Sequence, residues 1–136
     1  MSLQENVQIV KDVYAAFGRG DMQGLLALLA EDIEWITPGE GWPLAGTYRG
    51  RAGVADLLQK ASGMLEISFF EPREFVAQGD RVLVVGFERG RGKATNRTFE
   101  GHWVHAFTVR NGKVMNVREY NDSLALARAF EMAATA

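Results

Sequence analysis

Apolar residues near the start of the chain recur at helical spacing, Val7, Val10, Tyr14 and Phe17, until Gly18 and Gly20 stop the pattern. Ser2 followed by Glu5 reads as a capping box that opens this first helix. Asp21 caps a second helix carrying Leu25, Leu26, Leu28 and Leu29 on one broad side, ended by Glu31 and Asp32. Ile33, Trp35 and Ile36 form a short strand, and Pro38 through Gly46 read as a loop that carries Trp42. Val54, Leu57, Leu58 and Ala61 mark a third helix closed by Gly63. From Glu66 the period drops to about two, which predicts strands over 66–77, 81–91, 97–109 and 113–121. Turn signals at Gly79-Asp80, Gly90 to Gly92 and Asn111-Gly112 make these strands antiparallel neighbours. Pro72 cannot donate to a ladder, so the first of them lies at an edge or carries a bulge. Asp122 and Ser123 cap a last helix with Leu124, Leu126, Ala127 and Phe130. The order is ααβαββββα, an α+β chain.

Composition narrows the function classes. The 136 residues suit one domain spanning 1–136, without repeats or linkers, and 47% hydrophobic content provides for a real core. Fifteen Lys and Arg stand against 17 Asp and Glu, a net charge of -2 that provides no reason to expect nucleic acid or an anionic membrane as partner. Cysteine is absent, which removes disulfides, thiolate catalysis and cysteine metal sites. With neither a signal-peptide pattern nor an apolar run near ~18 residues, the expectation is a soluble, cytoplasmic protein. The basic run Arg89, Arg91, Lys93, Arg97 lacks interleaved aromatics and reads as a solvated hairpin tip.

Four stretches carry a resemblance: AAFGRGDMQGLLALLAEDIEW at the front, GTYRGRAGV before the third helix, and HWVHAFTVRNGKV then REYNDSLALA at the end. With them the chain resembles the nuclear transport factor 2-like superfamily, in particular its SnoaL-like, ketosteroid-isomerase-related branch. The resemblance implies a curved, mostly antiparallel sheet forming a cone around the N-terminal helix, a cystatin-like α+β barrel whose open end receives a small apolar molecule. It implies no single activity, because the superfamily holds isomerases, cyclases, epoxide hydrolases, dehydratases and non-catalytic binders. The positions of the ketosteroid isomerase tyrosine, base and acid fall here on Val13, Thr37 and His105. Those three departures argue against steroid isomerisation. The limonene epoxide hydrolase trio maps near Glu88 and Gly90 and on Glu119, so only part of it exists.

The hairpin through Asn111-Gly112 decides which side chains face the cone, since a slip of one residue reverses every one of them. A two-residue loop pairs His105 with Arg118, and a three-residue loop with Gly112 as a left-handed bulge pairs His105 with Val117. The second separates apolar from polar better, collecting Phe99, Trp103, His105, Phe107, Val109, Met115, Val117 and Glu119 on one face. It sets Glu119 opposite Trp103 and diagonal to His105, about 7 to 8 Å away between backbones, a gap long side chains bridge.

His105 and Glu119 are therefore the candidate catalytic pair, a proton donor and acceptor acting without cofactor on an enolisable or hydroxylated ligand. The same pair also reads as a satisfied polar contact in an apolar core with no turnover. Tyr14, Phe17, Trp35, Thr37, Trp42, Trp103, Phe107 and Val117 are the candidate ligand-binding residues. His102 and His105 are three apart on a strand, face opposite ways and cannot share a metal, so no metal is expected. Asp122 beside Asn121 lies near the cone mouth but suits capping. Three function classes stay open: an acid–base isomerase, cyclase or dehydratase, a non-catalytic apolar-ligand binder, and a protein-interaction module. Under all of them a homodimer is expected through the outer sheet face, with Val104, Ala106, Thr108, Val114 and Tyr120.

Overall fold

The computed structural model describes residues 2–39 and 42–130. Ser2 accepts from the Glu5 amide while Glu5 accepts from the Ser2 amide, both at 3.1 Å, and this capping box starts α1 (Leu3–Gly18). The Asp21 carboxylate accepts from the Gly24 amide at 2.8 Å and starts α2 (Met22–Ala27). There follow β1 (Leu29–Thr37), β2 (Gly46–Arg49), α3 (Gly50–Met64), β3 (Leu65–Gln78), β4 (Arg81–Gly92), β5 (Thr98–Arg110), β6 (Lys113–Tyr120) and α4 (Ser123–Phe130). The six strands make one curved, unclosed sheet in the order β2-β1-β6-β5-β4-β3, antiparallel except where β1 runs parallel to β6. No described helix is long and apolar enough to cross a membrane.

The α+β class and the curved, mostly antiparallel sheet agree with the sequence reading, and the order gains a strand. Gly46–Arg49 pairs antiparallel with Glu34 to Thr37. Four residues are too short to show a period of two, so the stretch passed for loop; residues 40 and 41 of that loop lie outside the described residues. α2 is also shorter than the leucine pattern predicts. Leu29 already belongs to β1, where it pairs with Val114, because burying it in the sheet outweighs another half-turn of helix. On α1 the buried face is Asn6, Val10, Val13 and Ala16, which leaves Tyr14 half-buried and Phe17 43% exposed.

Pro72 satisfies both readings at once: β3 is an edge strand, and its ladder with β4 slips between Pro72 and Glu74. The β5–β6 hairpin matches neither proposed register. Asn111 and Gly112 both have positive φ, at 52° and 75°, which makes a two-residue connection with Arg110 facing Lys113. A bulge at Met115 then re-phases the strands, so Val109 meets Val114, Phe107 meets Val117 and His105 meets Glu119. Val117 and Glu119 still face inward with His105, as expected, but Val114 is fully buried rather than on the outer face. Ala106 is buried too, covered on the outer face between Leu83 and Arg118.

α1 lies in the concavity, with the Tyr14 ring within about 6 Å of Phe70, Phe75, Trp103, His105 and Phe107. Below it Trp103 lies flat across Gly86, its ladder partner, where any Cβ would overlap the indole. Gly86→Ala should therefore cost about 1–3 kcal/mol by overpacking, read by urea unfolding. The same substitution made in Trp103→Leu should cost clearly less, and equal costs in both backgrounds would contradict the packing account.

Candidate functional site

The inner face of the sheet and the α1 and α3 helices enclose a cavity of about 140 Å³. Most of its wall is apolar, and the polar groups that reach it are Tyr14, Thr37, Glu88, His105, Glu119 and Asn121. Glu119 stands directly opposite His105 on the ladder, yet the two are not bonded to each other. This corrects the diagonal bridge expected between them. The Trp35 Nε1 donates to Glu119 Oε2 at 2.6 Å, and the Asn121 Nδ2 donates to Oε1 at 2.9 Å. Both donors are neutral, so the carboxylate is held in place without a cation beside it.

His105 is bonded instead to Tyr14, with the phenol oxygen 2.7 Å from Nδ1. It is packed on its face by Trp103 at 4.1 Å between centroids, and Trp103 in turn stacks on Phe70 at 4.8 Å. Burial pushes the His105 imidazole down to about 4, against the pull of the Glu119 charge, so the ring is neutral at pH 7. A neutral imidazole cannot be the acid that an imidazolium would be. Burial, with the Glu119 charge adding to it, drives the Tyr14 phenol pKa up, which keeps Tyr14 a hydrogen-bond donor at all ordinary pH.

Of the eight residues expected to bind ligand, Tyr14, Phe17, Trp35, Thr37, Trp42 and Phe107 line the cavity. Trp103 and Val117 do not: Trp103 is sealed beneath His105 and over Gly86, and Val117 is fully buried between its ladder partners Phe107 and Trp35. Thr37 is 2% exposed, and its hydroxyl has no hydrogen-bond partner among the described residues. The Trp42 indole donates to the Pro38 carbonyl at 3.3 Å and meets the Phe130 ring at a tilt, which fixes this loop residue over the cavity. His102 is exposed on the outer face against Phe87, and no group of three metal-ligating side chains occurs among the described residues.

Two polar wall residues were not among the expected site residues. Glu88 projects inward from β4, half-buried, with no hydrogen bond to its carboxyl among the described residues. Burial, reinforced by the charge of Glu119, pushes it up to about 7. The alternation Val82, Val84, Gly86, Glu88 already assigned it to the inner face. Asn121 shares parity with Val117 and Glu119, and it reaches the cavity while its neighbour Asp122 caps α4 through the Ala125 amide at 3.0 Å. The basic run at the hairpin tip is engaged locally: Arg89 with Glu100, Arg91 with Glu66, and Lys93 with the Ser62 carbonyl.

The SnoaL-like domain profile matches residues 10–117, and the chain belongs to that family within the nuclear transport factor 2-like superfamily. A nuclear transport factor 2-like protein from Burkholderia xenovorans LB400 is 71% identical and superposes with a TM-score of 0.90, over 96% of this chain and 99% of that one. TerC, crystallised with polyporic acid, is 30% identical with a TM-score of 0.82, over 94% and 99%. A candidate SnoaL-like polyketide cyclase from Mesorhizobium loti is 25% identical with a TM-score of 0.72, over 88% and 99%. These likenesses are compatible with a cyclase- or isomerase-type function and single out no specific activity.

His105 and Glu88 tilt stability in opposite directions. His105 sits below its ordinary 6.5 when folded, so the unfolded chain binds the extra proton and stability falls as pH drops from about 6.5 to 4. Glu88 sits above its ordinary 4.5, so its contribution is intact below 4.5 and is lost as pH rises through 7. Glu88→Gln should gain about 1–3 kcal/mol relative to wild type between pH 4.5 and 8, read from urea unfolding at both values. A difference that does not change with pH would show that Glu88 is not desolvated.

Proposed function

We propose that this chain is a cofactor-free acid–base enzyme of the cyclase or isomerase kind, acting on a small apolar molecule with an enolisable carbonyl. The observation that carries the reading is Glu119, a carboxylate aimed into an apolar cavity and oriented, among the described residues, by the neutral donors Trp35 and Asn121. Such a group is held in one orientation toward the cavity. In the step envisaged, Glu119 removes a proton from the carbon beside the carbonyl, and the electron pair moves onto the carbonyl oxygen. Tyr14 donates to the developing enolate oxygen, and the His105 Nδ1–H donates to the phenol oxygen in turn. Glu88, poised near 7, returns a proton to the product enolate, after which Glu119 releases its proton to water and Glu88 takes one up, restoring the starting state. The family membership and the cyclase-like neighbour support this class of chemistry.

A specific observation favours a second reading, that of a binder without turnover. Both Glu119 oxygens already accept a hydrogen bond, as they would in a satisfied structural pair. Exchange of the α-protons of 4-methylcyclohexanone in D₂O, followed by proton NMR, separates the two. The enzyme reading expects exchange above background that falls 10²- to 10⁴-fold in Glu119→Gln, with ketone binding retained. The amide introduced by that substitution can keep both neighbours, because Asn121 can flip its own amide to accept. Binding without any acceleration in the wild type leaves the binder.

The outer sheet face supports a homodimer as a further part of this proposal. Val76, Leu83 and Tyr120 are 57%, 39% and 50% exposed there, around the half-buried Val85 and Val104. An apolar strip of this kind on a convex sheet is suited to an identical strip on a second copy. Leu83→Glu should convert the dimer to monomer in sedimentation velocity, and an unchanged sedimentation coefficient would remove this face from the interface.

A further inference from the structure

β1 sends Ile33, Trp35 and Thr37 inward, and all three are buried. The first two have clear work: Ile33 belongs to the apolar core, and Trp35 holds Glu119. Thr37 lines the cavity, yet its hydroxyl meets no hydrogen-bond partner among the described residues. Valine has the same branched outline on a strand and carries no polar atom, so a threonine at this depth sacrifices stability that valine would keep. A buried hydroxyl of this kind calls for a partner, and the cavity is the open space beside it.

The register fixes where that hydroxyl stands. Ile36 pairs with Arg118, so Thr37, the next residue, comes level with Glu119 on β6, and Glu119 pairs in turn with His105 on β5. Threonine, carboxylate and imidazole thus form one inward row across three neighbouring strands, at roughly 4.8 Å per step. The Tyr14 phenol stands at the His105 end of this row, 2.7 Å from Nδ1. Glu119 is therefore flanked by a hydroxyl on either side. The cavity of about 140 Å³ compares with an engineered void of roughly 150 Å³ that holds one benzene, so it admits about a single six-membered ring.

We infer that Thr37 is a specificity-determining residue, whose hydroxyl recognises a second oxygen of the ligand on the side of Glu119 away from Tyr14. The substrate class is then a neutral β-hydroxy ketone on a single ring. Its carbonyl lies at Tyr14, the carbon between the two oxygens over Glu119, and its hydroxyl at Thr37. This rests on the acid–base cavity of the proposed function and adds what the far side of the ring carries. A second carbonyl in place of the hydroxyl fits less well. A cyclic 1,3-diketone ionises in water unaided, and among the described residues no Lys or Arg lines the cavity to receive its anion beside Glu119. A ligand hydroxyl stays neutral, and it can donate to or accept from the Thr37 hydroxyl.

Calorimetric titration with 3-hydroxycyclohexanone and 3-methylcyclohexanone tests the assignment, since the two rings have nearly the same outline and differ by an oxygen for a methyl. The wild type should bind the hydroxy ketone more tightly. In Thr37→Val the ratio of the two affinities should fall about tenfold, the size of one net hydrogen bond, and in Thr37→Ser the wild-type preference should persist. Equal affinities in the wild type, or a preference for the methyl ketone, overturn the assignment and spare the cavity reading. A preference that survives unchanged in Thr37→Val also overturns it. Failure of both ketones to bind removes the ketone cavity as well. Absence of α-proton exchange in a protein that keeps the hydroxy preference removes the acid–base step and leaves the Thr37 assignment standing.

Discussion

The bulge at Met115 decides what the cavity contains. Asn111-Gly112 forces a two-residue turn through two left-handed residues, and that turn alone would carry Arg118 to a place opposite His105. A guanidinium would then enter an apolar concavity while Val117 turned outward, and burying one valine is worth roughly 1.5–3 kcal/mol before the charge is considered. One unpaired residue in β6 avoids both costs. It restores Val117 to full burial beside Phe107, returns Arg118 to the exposed side, and faces Glu119 toward the cavity. Every later property of the site follows from that register.

The polar groups admitted to this apolar space are arranged as two separate units. Tyr14 and His105 satisfy each other, and Trp35 and Asn121 satisfy Glu119. The separation matters electrostatically. A direct salt link would have charged the imidazole and neutralised the carboxylate as a base, whereas here desolvation wins over Coulombic attraction and His105 stays neutral. What the protein leaves unsatisfied is as informative as what it pairs. The Thr37 hydroxyl and the Glu88 carboxyl face the same cavity without protein partners among the described residues, so hydrogen-bonding capacity remains for something that enters.

The long periodic segments were legible because each repeats its own signal many times. The four strands after Glu66 fall within two residues of their expected bounds, and the capping box, the Asp21 cap and the Pro72 irregularity rest on local chemistry that no distant contact overrides. β2 was not legible, since four residues do not make a period, and neither was the end of α2, where leucines suit helix and sheet alike until Val114 claims Leu29. The candidate site was half legible. His105 and Glu119 share a face under any register of the right parity, so they were placed together although their expected spacing was wrong by two residues. Their true partners could not be read, because a Tyr14–His105 bond spans 91 positions and depends on how α1 is rotated over the sheet. Glu88 could have been read by parity alone.

The resemblance to ketosteroid isomerases places their tyrosine, base and acid on Val13, Thr37 and His105, and the structure brings polar side chains to the same space from other positions. Tyr14 is one residue along α1 from Val13, a rotation of about 100° that aims the phenol at His105 while Val13 fills the core. At the base position the threonine still faces the cavity, and carboxylates reach the same space from β4 and β6 instead. A curved sheet makes such exchange cheap. Each inward position on several strands converges on one small volume, so a group deleted from one strand can be replaced from another without moving the backbone. Homology by position is then a poor guide to which strand supplies a polar group within this fold.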